Sequence, residues 1–260
     1  MHTNQTRWII RLSHYGTILT SLLSMTGFNT AIADEIKIAV ASNFSRPMIA
    51  ISQLFEKNTG HKLSLIFGST GKHYAQIRNG APFDVFFAAD SHRPRLLEQE
   101  DLAQKQSRFT YAIGKVVLWS PLKQYVDPQA HVLTQGDFRH LAIANPKLAP
   151  YGKAAMEILQ KRGLWKPLRR RLVRGENISQ TYQFVKSGNA KLGFVAYSQI
   201  KQQDGSIIGS YWITPQAMYT PIEQQAVLLK EGQAARAFLA FVRSPEILQL
   251  IHDYGYDTPG

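Results

Sequence analysis

SLIFGSTGKHYAQIRNGAPFDVFFAAD, residues Ser64–Asp90, packs a complete supersecondary unit into one stretch. Ser64–Phe67 is a short apolar run of strand type that breaks at Gly68-Ser69-Thr70-Gly71. Lys72–Arg78 reads as a helix, and Asn79-Gly80 supplies its stop. Ala81-Pro82 turns the chain into a second apolar strand, Asp84–Ala88. Strand, small-residue turn, helix and parallel strand make a βαβ unit. Hydroxyl residues at its strand-to-helix turn leave the first N–H groups of the helix free to hold an anion.

The same grammar runs outward from this unit. Ile36–Ala41 is a strand that stops at Ser42-Asn43, with Ser45 expected as a helix N-cap and Pro47 in the first turn. Met48, Ile49, Ile51, Leu54 and Phe55 share one helical face, and Asn58-Thr59-Gly60 ends that helix. Arg93–Glu100 is a further helix, and Ala112–Trp119 reads as one long apolar strand. The pattern then restarts. His140–Ala144 is a strand, Asn145–Tyr151 a loop with Pro146 and Pro150, and Gly152–Arg162 a helix. Ile178–Lys186 is a helix capped by Asn177, and Leu192–Ala196 and Gly209–Ile213 are strands. Ala226–Leu229 is a late strand, before helices at Gln233–Val242 and Pro245–Tyr254. Alternation throughout predicts α/β architecture with mostly parallel sheets, in two runs that suggest two lobes.

Composition narrows the function classes. The chain has 260 residues, 44% hydrophobic and 18% charged, enough for one large domain or two lobes with real cores. A net charge of +12 would suit a polyanion or an anionic surface. The basic residues are dispersed, however, densest at Lys166–Arg174, and do not alternate with aromatics as in a single-strand binder. No nucleic-acid partner is expected. The absence of cysteine excludes disulfides, zinc–thiolate sites and thiol catalysis.

Residues 1–33 read as a signal peptide. Arg7 and Arg11 precede a short apolar segment, Thr17–Phe28, and Ala31-Ile32-Ala33 forms an A-x-A cleavage pattern before Asp34. The segment is too short and too rich in Thr, Ser and Asn for a membrane span. Cleavage there predicts an exported protein.

Enzymatic motifs fail on spacing. Gly71-Lys72 lacks the upstream Gly and the following Ser or Thr of a phosphate-binding loop. The histidines form no His-x-x-x-His pair, and no Gly-x-Ser-x-Gly elbow surrounds Ser69. Asp84 and Asp90 are expected to cap or pair rather than act as an acid–base couple. What remains is four small polar turns at helix starts: Ser42-Asn43, Ser69-Thr70, Tyr151-Gly152 and Asn177-Ile178. In open α/β sheets ligands sit beyond the carboxyl ends of strands. Two such turns per lobe suit an oxyanion held by neutral donors.

At these residues the chain resembles the periplasmic molybdate-binding proteins of ABC importers. The resemblance is carried by IKIAVASNF, FGSTGKHYAQIRNGAPFDVFFAAD, ANPKLAPYGKAAMEIL, GENISQTYQFVKSGNAKLGFVA and RSPEILQLIHDYGY. It implies the type II binding-protein fold, with a ligand cleft between two lobes. The bounds expected are 34–113 for the first part of lobe one, 114–222 for lobe two, and 223–260 for a return to lobe one. It also implies a non-enzymatic, monomeric protein that binds molybdate and tungstate and delivers them to a membrane permease. No cofactor is implied, and the metal would be reached only through its oxygens. By matched position the ligand residues implied are Ser42, Asn43, Ser69, Thr70, Tyr151 and, through its backbone N–H, Ile178. Some members place a ligand tyrosine where this chain has Ala196, so Tyr151 is expected to serve and Tyr197 to point away. Another tetrahedral oxyanion, such as sulfate, phosphate or phosphonate, is the alternative ligand. A protonated phosphate would need an acceptor such as Asp90 or Glu176.

Overall fold

Ten strands and their helices, seen in a computed structural model that describes residues 34–259, form two mixed sheets with helices on both faces. The signal-peptide reading falls on residues outside those described. In chain order the strands are β1 (Glu35–Ala41), β2 (Lys62–Gly68), β3 (Val85–Ala88), β4 (Phe109–Gly114), β5 (Val116–Ser120), β6 (Leu141–Ala144), β7 (Leu172–Gly175), β8 (Leu192–Ala196), β9 (Ser210–Ile213) and β10 (Ile222–Leu228). The first sheet is ordered β2-β1-β3-β10-β4 and the second β7-β6-β8-β5-β9.

Both sheets repeat one scheme. Three parallel strands, β2-β1-β3 or β7-β6-β8, are followed by one antiparallel strand, β10 or β5, and then by an edge strand, β4 or β9, that pairs antiparallel with it and so runs in the direction of the first three. Mostly parallel strands were expected, and four of the five in each sheet do share one direction, while the single reversed strand makes half of the pairings antiparallel and the sheets mixed. The antiparallel strands are those that cross from one sheet to the other, and a crossing strand enters from the far end. Ala112–Trp119 is likewise two strands. It breaks at Lys115, so that β4 closes one sheet and β5 enters the other. Apolar composition continues across this point because both halves are buried; the break is topological, and hydropathy does not register it. The chain returns through β10, which lies between β3 and β4.

Burial follows the strand period of two. Ile36, Ile38 and Val40 face one core with Phe55, Phe238 and Ile247, from the helices Ser45–Thr59, Gln233–Val242 and Pro245–Asp253. Ala39 faces the other side, with Ile77 and Leu97 from Thr70–Arg78 and His92–Gln99. Sheets covered on both faces need apolar residues at every position, which is why the strands read as continuous runs. In the second sheet Leu118, Ile143 and Phe194 pack with Ile158 from Pro150–Lys161, while Val117, Ala142 and Val195 pack with Val185 from Ile178–Lys186. Among the described residues no helix is long and apolar enough to cross a membrane.

Two helix starts differ from expectation. Ser45 is the first residue of its helix rather than its cap, because Ser42–Phe44 already forms a turn of 3-10 helix leading into it. The helix expected from Gly152 begins at Pro150, whose fixed φ suits a first helical position. Asn177 caps as expected, its side-chain oxygen accepting the Gln180 N–H at 2.9 Å.

Candidate functional site

The first polar turn follows β1, and the second follows β2. Ser69 caps the helix Thr70–Arg78 by accepting the Lys72 N–H on its hydroxyl at 3.3 Å. Thr70 is the first residue of that helix and Ile178 the first of Ile178–Lys186, so their N–H groups have no carbonyl partner within their own helices. Tyr151 enters from the second sheet, one residue into Pro150–Lys161.

All six residues expected at the ligand line one small cavity between the lobes. Each is buried, Thr70 at 1% exposure and Ser42 at 5%. Among the described residues lining this cavity none carries a charge. Anion binding here must come from N–H and O–H dipoles. Such charge-assisted hydrogen bonds contribute on the order of 1.5–3 kcal/mol each. The nearby charges are engaged elsewhere. Asp90 accepts from the Arg93 N–H at 2.9 Å and pairs with its guanidinium, and Asp84 accepts from the Lys37 N–H at 2.7 Å. Glu176 pairs with Lys72 at 3.1 Å. Neither Asp90 nor Glu176 lines the cavity, so the acceptor that a protonated phosphate would need is missing from its walls.

The six do not all present their side chains equally. The Thr70 hydroxyl accepts the Ala89 N–H at 3.0 Å, which leaves its own proton to be given away. The Asn43 amide is turned inward, donating to Gln224 Oε1 at 2.7 Å and to Tyr256 Oη at 3.1 Å. Asn43 therefore holds the turn in place by its side chain and offers the cavity its backbone. Burial holds the Tyr151 phenol well above its ordinary pKa, so it stays a proton donor throughout the neutral range. Its hydroxyl receives the Gln224 amide N–H at 3.4 Å. Tyr197, as expected, is not part of the cavity wall; its ring faces Tyr211, with centroids 6.3 Å apart. Gly152 is required by β6 rather than by the cavity, since a Cβ there would collide with the Ala144 carbonyl.

Hydrogen bonds tie the two lobes together across the cleft. The Gly71 N–H donates to the Leu148 carbonyl at 2.8 Å and the Ser179 hydroxyl to the Ser42 carbonyl at 3.0 Å. Arg46 donates to the carbonyls of Ser198 and Lys201 at 3.2 and 2.9 Å, and Arg93 reaches the Lys147 carbonyl at 3.1 Å. None of these pairings between lobes is visible in local sequence. Gln224 also escaped it, although two adjacent glutamines in the strand IEQQAVL were a signal. That strand is buried from Gln224 onward and carries a register shift between Gln224 and Gln225.

Among the described residues no group of three His, Asp or Glu side chains could hold a metal ion. The site is a cage of neutral donors, built where helix N-termini from both lobes meet.

Comparison with known proteins agrees with this geometry. Over 230 residues the chain is 50% identical to the molybdate-binding protein ModA of Azotobacter vinelandii, covering 87% of this chain and 91% of that one. It is 49% identical over 231 residues to ModA of Rhodobacter capsulatus, covering 88% and 90%. Its structure superposes on the periplasmic molybdate-binding protein of Azotobacter vinelandii with a TM-score of 0.84 at 41% identity, over 86% of this chain and all of the other. The model of the bacterial extracellular solute-binding protein family matches residues 36–257, and the chain belongs to that family.

Proposed function

We infer that the protein captures molybdate outside the cytoplasm and hands it to an ABC importer, making and breaking no bond in its ligand. The observation that carries this reading is the uncharged cavity to which both lobes contribute buried donors. The relatives named above as molybdate-binding, at half identity over nearly the whole mature chain, support it.

In this reading Ser42, Ser69, Thr70 and Tyr151 donate hydroxyl protons to the oxyanion, and Asn43 and Ile178 donate backbone N–H groups. The dianion's charge is shared among dipoles at helix starts rather than neutralised by a cation. Tungstate, with the same shape and charge, binds in the same way. Sulfate is smaller and would leave some donors out of reach. The open form admits the ion, and hinge closure completes its shell, as the bonds from Gly71 to Leu148 and from Ser179 to Ser42 draw the lobes together. The exported protein starts at Asp34, acts in the periplasm as a monomer and docks on a membrane permease.

Isothermal calorimetry of the mature protein against molybdate, tungstate, sulfate and phosphate tests this directly. Heat is expected with the first two, much tighter than with sulfate. A protein that answers to phosphate and gives no heat with molybdate would refute it.

A further inference from the structure

Behind the cavity lies a chain of buried hydrogen bonds whose polarity can be followed group by group. The Asn43 carbonyl can only accept, and the Tyr256 hydroxyl donates to it at 2.7 Å. With its proton committed, Tyr256 Oη can only accept from its other neighbours, and it takes the Ser198 hydroxyl at 2.9 Å and Asn43 Nδ2 at 3.1 Å. That fixes which end of the Asn43 amide is nitrogen. The same nitrogen lies 2.7 Å from Gln224, so the Gln224 atom facing it must be oxygen. Tyr111 also has Gln224 Oε1 within reach, at 3.2 Å. Gln224 Nε2 is thereby turned the other way, toward Tyr151 Oη at 3.4 Å.

We propose that Gln224 is a positioning and specificity residue, one that makes Tyr151 a donor toward the ligand by filling the acceptor side of its hydroxyl. The proposal builds on the oxyanion reading above. Gln224 is fully buried on β10, one of the strands that cross between the lobes, so it touches the backs of both walls at once. Gly114 at the end of β4, next to the other crossing, supplies the clearance. A Cβ there would collide with the Tyr151 hydroxyl and lie 2.9 Å from Gln224 Nε2. No acceptor for the Tyr151 proton appears among the hydrogen bonds of the described residues, which leaves the cavity to receive it. A fully deprotonated tetrahedral dianion meets that proton favourably. A hydrogen-bearing oxyanion, such as monohydrogen phosphate or arsenate, would oppose its own O–H to a donor. The relay from the Asn43 carbonyl to Tyr151 thus selects for the ligand's protonation state.

The test is Gln224→Glu, measured by calorimetry with molybdate across pH beside the wild type. The introduced carboxylate has no N–H to give and would accept the Tyr151 proton, turning it away from the ion. Affinity should fall by roughly a hundredfold near neutral pH. It should recover on acidification, because burial raises a carboxyl pKa and the protonated form restores a donor. Wild-type affinity should stay flat over the same range. If Gln224→Glu does not fold, the neutral Gln224→Met combined with Tyr151→Phe decides the matter. The double variant should bind no more weakly than Tyr151→Phe alone, since one residue acts through the other. Wild-type affinity retained in Gln224→Glu, a loss that ignores pH, or additive losses in the double variant would each overturn the assignment to Gln224. A wild type that gives no heat with molybdate overturns the oxyanion reading itself, and this assignment with it.

Discussion

Gly71 and Leu148, on opposite sides of the cleft, meet backbone to backbone: the Gly71 N–H donates to the Leu148 carbonyl at 2.8 Å, one residue beyond Thr70. A Cβ on Gly71 would lie 2.9 Å from that carbonyl oxygen and 3.0 Å from Leu148 Cα. Both are main-chain atoms and cannot swing aside. Gly71→Ala should therefore hold the lobes apart in the closed form while leaving each lobe folded. Overpacking of this kind costs about 1–3 kcal/mol, which would weaken molybdate binding by roughly tenfold to a hundredfold. Calorimetry checks the affinity, and thermal unfolding without ligand should be little changed. Undiminished affinity would show that closure tolerates a wider gap here.

Lys72 follows the Thr70-Gly71 turn, yet its ammonium pairs with Glu176 across the mouth of the cleft, with about half of each side chain exposed. Exposed pairs contribute about 0–1 kcal/mol. Lys72→Ala should lower molybdate affinity by no more than about fivefold, and less at high salt. Thr70→Ala should cost more, because it removes a cavity hydroxyl and strips the buried Ala89 N–H of its acceptor. The reverse order in a titration of both variants would mean that a cation holds the ion.

Tyr151 and Tyr197 offer a matched pair. Tyr151 is buried at the cavity with its hydroxyl proton uncommitted, while Tyr197 packs beside Tyr211 and against Gly255. Tyr151→Phe should weaken molybdate binding by about 1–3 kcal/mol, some tenfold to a hundredfold, and Tyr197→Phe should leave it nearly unchanged. Equal, small effects would remove both tyrosines from the ligand shell.

His73 is buried beneath the second polar turn, with ring nitrogens 3.2 Å from the Val40 carbonyl and 3.1 Å from Gln76 Oε1. Burial pushes its pKa below the ordinary value of 6.5. Below that value the unfolded chain takes up a proton that the folded chain refuses, so stability should fall as pH drops from 6.5 toward the lower folded pKa. Above 6.5 both states are neutral and the contribution is flat. Thermal midpoints measured across this window should decline more steeply for the wild type than for His73→Gln. Identical slopes would place the acid sensitivity elsewhere.

Processing gives the simplest measurement. The intact mass of exported protein should correspond to a chain beginning at Asp34, following the Ala31-Ile32-Ala33 pattern. A retained N-terminus would exclude cleavage at this point.

Much of the molecule was legible in residue order because its information is local. A βαβ unit such as Ser64–Asp90 carries its own strand period, its own cap at Ser69 and its own stop at Asn79-Gly80, so each element could be read within a few residues of its bounds. The polar turns were legible for the same reason: a hydroxyl or amide beside a helix start has a function before any tertiary contact exists. Tertiary structure decided what required two distant segments. It split Ala112–Trp119 at Lys115 because the two halves pair with different partners, Phe109–Gly114 with β10 and Val116–Ser120 with β8 and β9. It turned the Asn43 side chain away from the cavity, toward Gln224 and Tyr256, 181 and 213 residues along the chain. It set Gly71 against Leu148, a contact that no local pattern encodes. Propensity and periodicity act over a few residues, whereas the polarity of a buried hydrogen-bond chain depends on every group along it, and those groups become neighbours only when the chain folds.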